Sequence, residues 1–383
     1  MMKIINVVGA RPNFMKIAPL IGEMRCRAGI TPLLVHTGQH YDAAMAGRFF
    51  EDLGIPPPDI SLEVGSGTHA CQTAEVMKRL EPILEKEKPD HVLVVGDVNS
   101  TLAAAITAAK MQISVIHVEA GLRSFDRTMP EEINRILTDV ISDQLFVTEQ
   151  SAVDNLRREG IANEKIHFIG NVMIDTLLRN RERAMRLELP VSLGLKSNRE
   201  SALIEYGLLT LHRPSNVDDF RTFSDILGAV TELAEHLPIL FPAHPRTRKT
   251  IDTLGFSKIV KLGVEGVKGP GLYGLDPLGY LEFLCLMSSA RIVLTDSGGI
   301  QEETTVLGVP CVTLREETER PVTLTDGTNI LAGVRKEKIL EAARFSLTRY
   351  ADPTVRCTRV PPLWDGKAAQ RIVSILNHEH GKI

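Results

Sequence analysis

The sequence predicts an α/β protein of two domains, each built on a parallel sheet. Three observations carry that prediction. Short β-branched runs alternate with longer amphipathic or Ala-rich segments, the pattern of βαβ units. The alternation begins again after Gly170 and a charged helical stretch, TLLRNRERAMRLEL. A chain of 383 residues is also too long for one ordinary core of about 100–200 residues.

The elements follow in order. KIINVVG reads as a first buried strand, FMKIAPLIGEMRCRAG as a helix and TPLLVHTG as the next strand. DHVLVVGD, STLAAAITAAKMQ and SVIHVEAG continue the alternation. MPEEINRILTDVISD signals a helix: Pro130 takes the first position, Glu131 and Glu132 the first turn, and Ile133, Ile136, Leu137, Val140 and Ile141 one face. Glu131 and Arg135 stand four residues apart on the other face, and taken alone they read as an exposed ion pair worth roughly 0.3–0.5 kcal/mol. The arginines of TLLRNRERAMRLEL read as a solvated face. ALIEYGLLTLHRP, LPILFPAHP, KIVKLG, ARIVLTDSGG and PCVTLRE are strands of the second domain, and VPPLWDGKAAQRIVSILNHEHG closes the chain with an amphipathic helix.

Composition narrows the function. Hydrophobic content of 43% and charge of 24% indicate a soluble globular protein. A net charge of -4 without a dense Lys/Arg run argues against a nucleic-acid partner. No apolar run approaches the roughly 20 residues of a membrane span, and the N-terminus reads as a strand rather than a signal peptide. Cys26, Cys71, Cys285, Cys311 and Cys357 form no C-x-x-C pair, which suggests reduced thiols and a cytoplasmic protein without a zinc site.

Ligands of open parallel sheets bind outside the carboxyl ends of the strands. After the first strand come Gly9, Arg11 and Lys16; after VLVVG comes Asp97, and after VIHV comes Glu119. In the second half His212 and Arg213 follow LLTL, His244 and Arg246 follow ILFPA, and Asp296 to Gly299 follow IVLT. Asp97 can be read as a helix cap, although Ser100 is the better-placed one. Glu119 precedes Ala-Gly, where no helix start needs it, and a buried carboxylate without a task is rare. Ser297-Gly298-Gly299 suits the bare N-terminus of a helix that attracts an anion. It lacks the spacing of dinucleotide and P-loop fingerprints.

GARPNFMK, TGQH, GDVNST, HVEAGLRS, MPEEINR, LTLHRP, HPR, TDSGGIQEE and ETERP, in this order, resemble the non-hydrolysing UDP-N-acetylglucosamine 2-epimerases. The resemblance implies a glycosyltransferase-B-like arrangement of two Rossmann-like domains, over residues 1–172 and 173–364, with a helix at 365–383 returning to the first and the active site in the interdomain cleft. It implies that Ser297, Gly298 and Gly299 hold the diphosphate and Glu303 the ribose hydroxyls. Arg11, His212 and Arg320 would contact the UDP part, and Lys16 would assist nearby. Asp97, Glu119 and Glu131 match the catalytic carboxylates; Arg135 would orient one of them and His212 would assist the leaving diphosphate. The expected reaction inverts C2 of the sugar by eliminating UDP to a 2-acetamidoglucal and adding it back, with no metal or cofactor, in a homodimer.

Three departures bear on the substrate. Asn13 stands where the family often has Glu, and Cys71-Gln72 where an Arg-Gln pair of the family serves a second, activating substrate site. Arg123 and Arg127 suit relatives acting on UDP-2,3-diacetamido-2,3-dideoxy-glucuronate, where an arginine could meet the sugar carboxylate, and equally suit a solvated loop. A hydrolysing relative, releasing N-acetylmannosamine, is the other alternative.

Overall fold

The computed structural model describes residues 1–38, 51–263, 266–352 and 360–380. Gln39 and His40 of the TGQH motif, Cys357 and the side chain of Arg11 lie outside the described residues. The chain divides into two compact units, Met1–Arg179 with Pro362–Ile383, and Asn180–Pro361.

Unit 1 carries a parallel sheet in the order β3-β2-β1-β4-β5-β6-β7. Its strands are β1 (Met2–Val8), β2 (Ile30–His36), β3 (Ile60–Ser61), β4 (His91–Val95), β5 (Ser114–Ala120), β6 (Gln144–Val147) and β7 (Ile166–Phe168). The connecting helices include α1 (Arg11–Arg25), α2 (His69–Glu87), α3 (Asn99–Lys110), α4 (Pro130–Ile141), α5 (Gln150–Arg158) and α6 (Val172–Met185). The order reverses between β1 and β4, so their carboxyl ends frame a crevice where neighbouring connections leave on opposite faces. Ile5, Val7, Val92, Val94 and Val115 pack with Ala103, Ala104 and Ala108 of α3, whose small side chains let that helix lie close to the sheet.

Unit 2 repeats the plan in the order β10-β11-β9-β8-β12-β13-β14. These strands are β8 (Gly207–Thr210), β9 (Ile239–Pro242), β10 (Val260–Leu262), β11 (Leu272–Leu275), β12 (Ile292–Thr295), β13 (Cys311–Thr313) and β14 (Asn329–Leu331). Among its helices are α7 (Phe220–Leu233), α8 (Pro245–Thr253), α9 (Tyr280–Ser289), α10 (Gly298–Leu307) and α11 (Lys336–Arg349). Here the order reverses between β8 and β12.

The last helix, α12 (Ala368–His380), belongs to unit 1 and packs on α1. Its first N–H groups, on Ala368 and Ala369, donate to the Asp175 carboxylate of α6 at 3.1 and 2.7 Å. Trp364, buried just before it, donates its indole N–H to Thr148 O at 2.9 Å.

The α4 helix corrects the sequence reading. Its buried residues are Glu132, Asn134, Arg135, Thr138 and Asp139, while Leu137 and Val140 are 44% and 57% exposed. The polar face therefore points inward; of the predicted apolar face, Leu137 and Val140 face out, Ile133 and Ile136 are half-buried, and Ile141 packs against the core. Ser100 is no cap either: α3 starts without a side-chain cap at Val98, and Ser100 Oγ lies 2.8 Å from Thr37 Oγ1. Among the described helices none is long and apolar enough to cross a membrane.

Candidate active site

In unit 1 the site is built at the carboxyl ends of β1, β4 and β5. Asp97 follows β4, and its carboxylate receives Arg135 Nη1 from α4 at 2.5 Å while remaining partly open to solvent. The same guanidinium binds Glu132 Oε2 through Nε and Nη2, at 2.9 and 2.6 Å. Glu132 in turn accepts the backbone N–H groups of Ser124 and Phe125 at 3.0 and 2.9 Å. Arg135 thus ties Asp97 to the loop after β5. Its partners are Asp97 and Glu132, so the sequence reading of an exposed pair with Glu131 is replaced; Glu131 is half-buried in the first turn of α4.

Glu119 occupies an unusual backbone position. The pairing of β5 with β6 slips between Val118 and Ala120, and Glu119 has φ +71°, in the left-handed region. A side chain there costs on the order of 1–3 kcal/mol, which other interactions must hold in place. The buried carboxylate meets Lys16 Nζ of α1 at 2.5 Å. A Cβ at Gly96 would lie 2.9 Å from that same Nζ, and Gly96 has φ +68°, so both space and backbone favour glycine between Lys16 and Asp97.

Beneath these carboxylates lies a charged layer that the sequence reading did not single out. His117 presents Nδ1 to Asp139 Oδ1 at 2.7 Å and Nε2 to Gly96 O at 2.9 Å. Asp139 also receives Arg123 Nη2 at 2.7 Å and Gly121 N at 3.0 Å. Burial alone would raise the Asp139 carboxyl, but His117 and Arg123 hold it below its ordinary range. Arg123 binds Glu159 as well, at 2.8 and 2.6 Å, and is buried. Its charge is committed to Asp139 and Glu159 within the protein, whereas Arg127 is exposed. The signal available was a histidine inside an apolar strand two residues before Glu119.

Asn13 and Gln72 also take structural positions. Asn13 Oδ1 accepts the N–H groups of Gly9 and Ala10 at 3.2 and 3.0 Å, so it satisfies the strand-to-helix turn itself. Gln72 Oε1 accepts from Asn99 Nδ2 at 2.9 Å, whereas Cys71 is exposed.

In unit 2 the site stands at the carboxyl ends of β8 and β12. Ser297 is the N-cap of α10 without a side-chain capping bond, leaving its hydroxyl and the first N–H groups of the helix for another partner. A Cβ on Gly298 would fall 2.4 Å from Arg320 Nη1, so the guanidinium lies directly over that turn. Arg320 pairs with Glu302 at 2.7 Å and Glu319 at 3.3 Å, and Glu319 also binds Arg315 at 2.8 Å. Glu303, fully inside, accepts the Tyr280 hydroxyl at 2.9 Å. Burial, with Glu302 alongside, pushes its carboxyl up to about 8 although the Tyr280 bond opposes the shift.

His212 Nδ1 meets Asp296 Oδ1 at 2.7 Å. His244 is accounted for structurally: its ring accepts Arg246 N at 3.3 Å as the cap of α8, and Arg246 pairs with Asp218 at 2.5 Å.

The family model described as UDP-N-acetylglucosamine 2-epimerase matches residues 23–377. The chain belongs to that family. A UDP-N-acetylglucosamine 2-epimerase from Methanocaldococcus jannaschii is 42% identical over 98% of this chain and 99% of its own length. The crystal structure of the M. jannaschii UDP-GlcNAc 2-epimerase in complex with UDP-GlcNAc and UDP superposes with a TM-score of 0.87 at 43% identity, covering 98% of this chain and 100% of that one. The Neisseria meningitidis UDP-GlcNAc 2-epimerase bound to UDP-GlcNAc also gives 0.87, at 31% identity and coverage of 98% and 100%. A Pseudomonas aeruginosa UDP-2,3-diacetamido-2,3-dideoxy-D-glucuronate 2-epimerase is 43% identical over 90% of this chain and 92% of its own. The two parallel sheets with their helices are thus the α/β fold of the glycosyltransferase-B-like epimerases.

Proposed function

We propose that this member of the epimerase family interconverts UDP-N-acetylglucosamine and UDP-N-acetylmannosamine by inversion at C2, through elimination of UDP to a 2-acetamidoglucal and its re-addition. The observation that carries this reading is the pair of cation-held carboxylates, Asp97 with Arg135 and Glu119 with Lys16, set on adjacent strand ends of unit 1. The C2 proton is weakly acidic, so its removal must accompany departure of the anomeric diphosphate. A carboxylate accepts the proton as the C1–O bond breaks, its electron pair leaving with UDP, and re-addition returns a proton to the opposite face. Two faces need two positioned groups, which Asp97 and Glu119 supply, with Glu131 as a third at the start of α4.

Unit 2 holds the nucleotide. Ser297, Gly298 and Gly299 with the α10 N-terminus receive the diphosphate, Arg320 adds positive charge, His212 assists the leaving diphosphate, and Glu303 takes the ribose hydroxyls. Arg11 and Lys16 are the corresponding cations of unit 1. Metal and cofactor play no part in this scheme.

The test is proton NMR of the enzyme with UDP-N-acetylglucosamine in heavy water. Deuterium at C2 and appearance of the UDP-linked manno epimer are expected; accumulation of free N-acetylmannosamine would instead show a hydrolysing enzyme. The P. aeruginosa relative favours one competing substrate, the UDP-linked diacetamido-glucuronate. Faster exchange on that substrate would transfer the assignment to it.

A further inference from the structure

We propose that Asp296 is a positioning residue that acts through His212, holding a hydrogen on Nδ1 so that the opposite ring edge, Nε2, can carry a second proton and donate it to the oxyanion of the departing nucleoside diphosphate. The inference rests on the epimerase reading for its kinetic consequence, but its structural content stands within unit 2 alone.

The geometry begins with the sheet. β8 and β12 are parallel neighbours with Thr210 opposite Thr295 and the two hydroxyls 3.0 Å apart. The residues just beyond them, His212 and Asp296, are therefore brought side by side at the switch point of the sheet. The Asp296 carboxylate is fully buried and collects donors on both oxygens. Oδ2 accepts Arg213 N at 3.0 Å, Asn216 Nδ2 at 3.1 Å and His212 N at 3.1 Å, and Oδ1 faces His212 Nδ1 at 2.7 Å. Burial raises the Asp296 carboxyl, but the neighbouring His212 and these N–H groups outweigh it and keep the group ionised.

An ionised carboxylate can only accept, so Nδ1 must carry the hydrogen it shares with Oδ1. The His212 side chain is 58% exposed, which leaves the other edge of the ring open while the Nδ1 edge is held. Ser297, the next residue after Asp296, caps α10, so one buried acid anchors both the ring and the start of the anion-binding turn. Charged pairs elsewhere in unit 2 are Arg213 with Glu319, Arg320 with Glu302, and Arg246 with Asp218. Asp296 is the carboxylate that meets the His212 ring.

Asp296→Asn separates this role from a structural one. An amide oxygen in place of Oδ2 keeps accepting from the backbone and Asn216, while the NH₂ turned to Nδ1 donates to it and leaves the ring with one hydrogen, on Nε2, unable to take the second proton that the oxyanion needs. The first measurement is ¹⁵N NMR of the full-length protein labelled at histidine, with the His212 signals assigned by their loss in His212→Gln. Nδ1–H in the parent and an unprotonated Nδ1 in Asp296→Asn are expected; Nδ1–H persisting in the variant would overturn the proposal. The second is a double-mutant cycle on C2 exchange. Asp296→Asn should slow exchange about 10–100-fold, and adding His212→Gln to it should slow it little further, since both remove one function. Losses that multiply would show that Asp296 acts apart from His212 and would also overturn the proposal. If the parent exchanges no C2 proton at all, the epimerase reading fails while the tautomer comparison still decides the pairing.

Discussion

At the residue scale, the site holds charge inside the protein. Lys16 and Glu119 are both buried, and removing one partner of such a pair leaves an uncompensated charge. Lys16→Met should therefore destabilise the protein by about 3 kcal/mol, seen as a lower urea midpoint with an unchanged slope. Glu303 gives a pH signature of defined sign. Its carboxyl keeps its proton up to about 8 in the folded protein and releases it near the ordinary glutamate range when unfolded. The folded state then binds more protons across that window, so its contribution to stability falls as pH rises, by at most about 1.4 kcal/mol per pH unit. Glu303→Gln should flatten this fall, so that the variant gains on the parent from pH 5 to pH 8 in urea unfolding; parallel curves would refute the assignment. Among single residues, the sequence showed where acids and cations stand at strand ends. It did not show that Arg135 serves Asp97 and Glu132, because partners at sequence distances such as Asp97 to Arg135 depend on how α4 is rotated.

At the scale of elements, the strand-to-helix turn at Ser297–Gly299 is packed under Arg320, at the place proposed for the diphosphate. A methyl on Gly298 would displace the Arg320 guanidinium from its place over the turn. Gly298→Ala should weaken UDP binding by about tenfold, measured by titration calorimetry, with a much smaller effect on stability. The strands with long apolar runs were legible because burial on both faces writes a continuous β-branched signal. β3, β6, β7, β11 and β14, of two to four residues each, were not identified. The α4 helix shows a different limit. Periodicity correctly separated its two faces, but which one turns inward was decided by Glu132, Arg135 and Asp139, each of which has a charged or backbone partner waiting in the interior. The bulge at Glu119 left no mark in the sequence beyond an acid where none was needed for capping.

For the whole molecule, the outward stripe of α4 has a consequence. Exposed Leu137 and Val140, on the face shared by Ile133, form the apolar surface that a second copy of the chain would cover, and a two-fold contact would set like against like. We propose a homodimer on this basis. Leu137→Glu with Val140→Glu should shift sedimentation to the monomer; an unchanged species would place the interface elsewhere. In the proposed reaction unit 1 supplies the cation-held acids and unit 2 the helix start that receives the diphosphate. The central claim is that Asp97 and Glu119 carry the C2 proton, and wash-in of deuterium at that carbon reads it directly. Asp97→Asn and Glu119→Gln, each shown to bind UDP, should lose about 10²–10⁴-fold in exchange rate. Exchange near the parent rate in both variants would contradict the account.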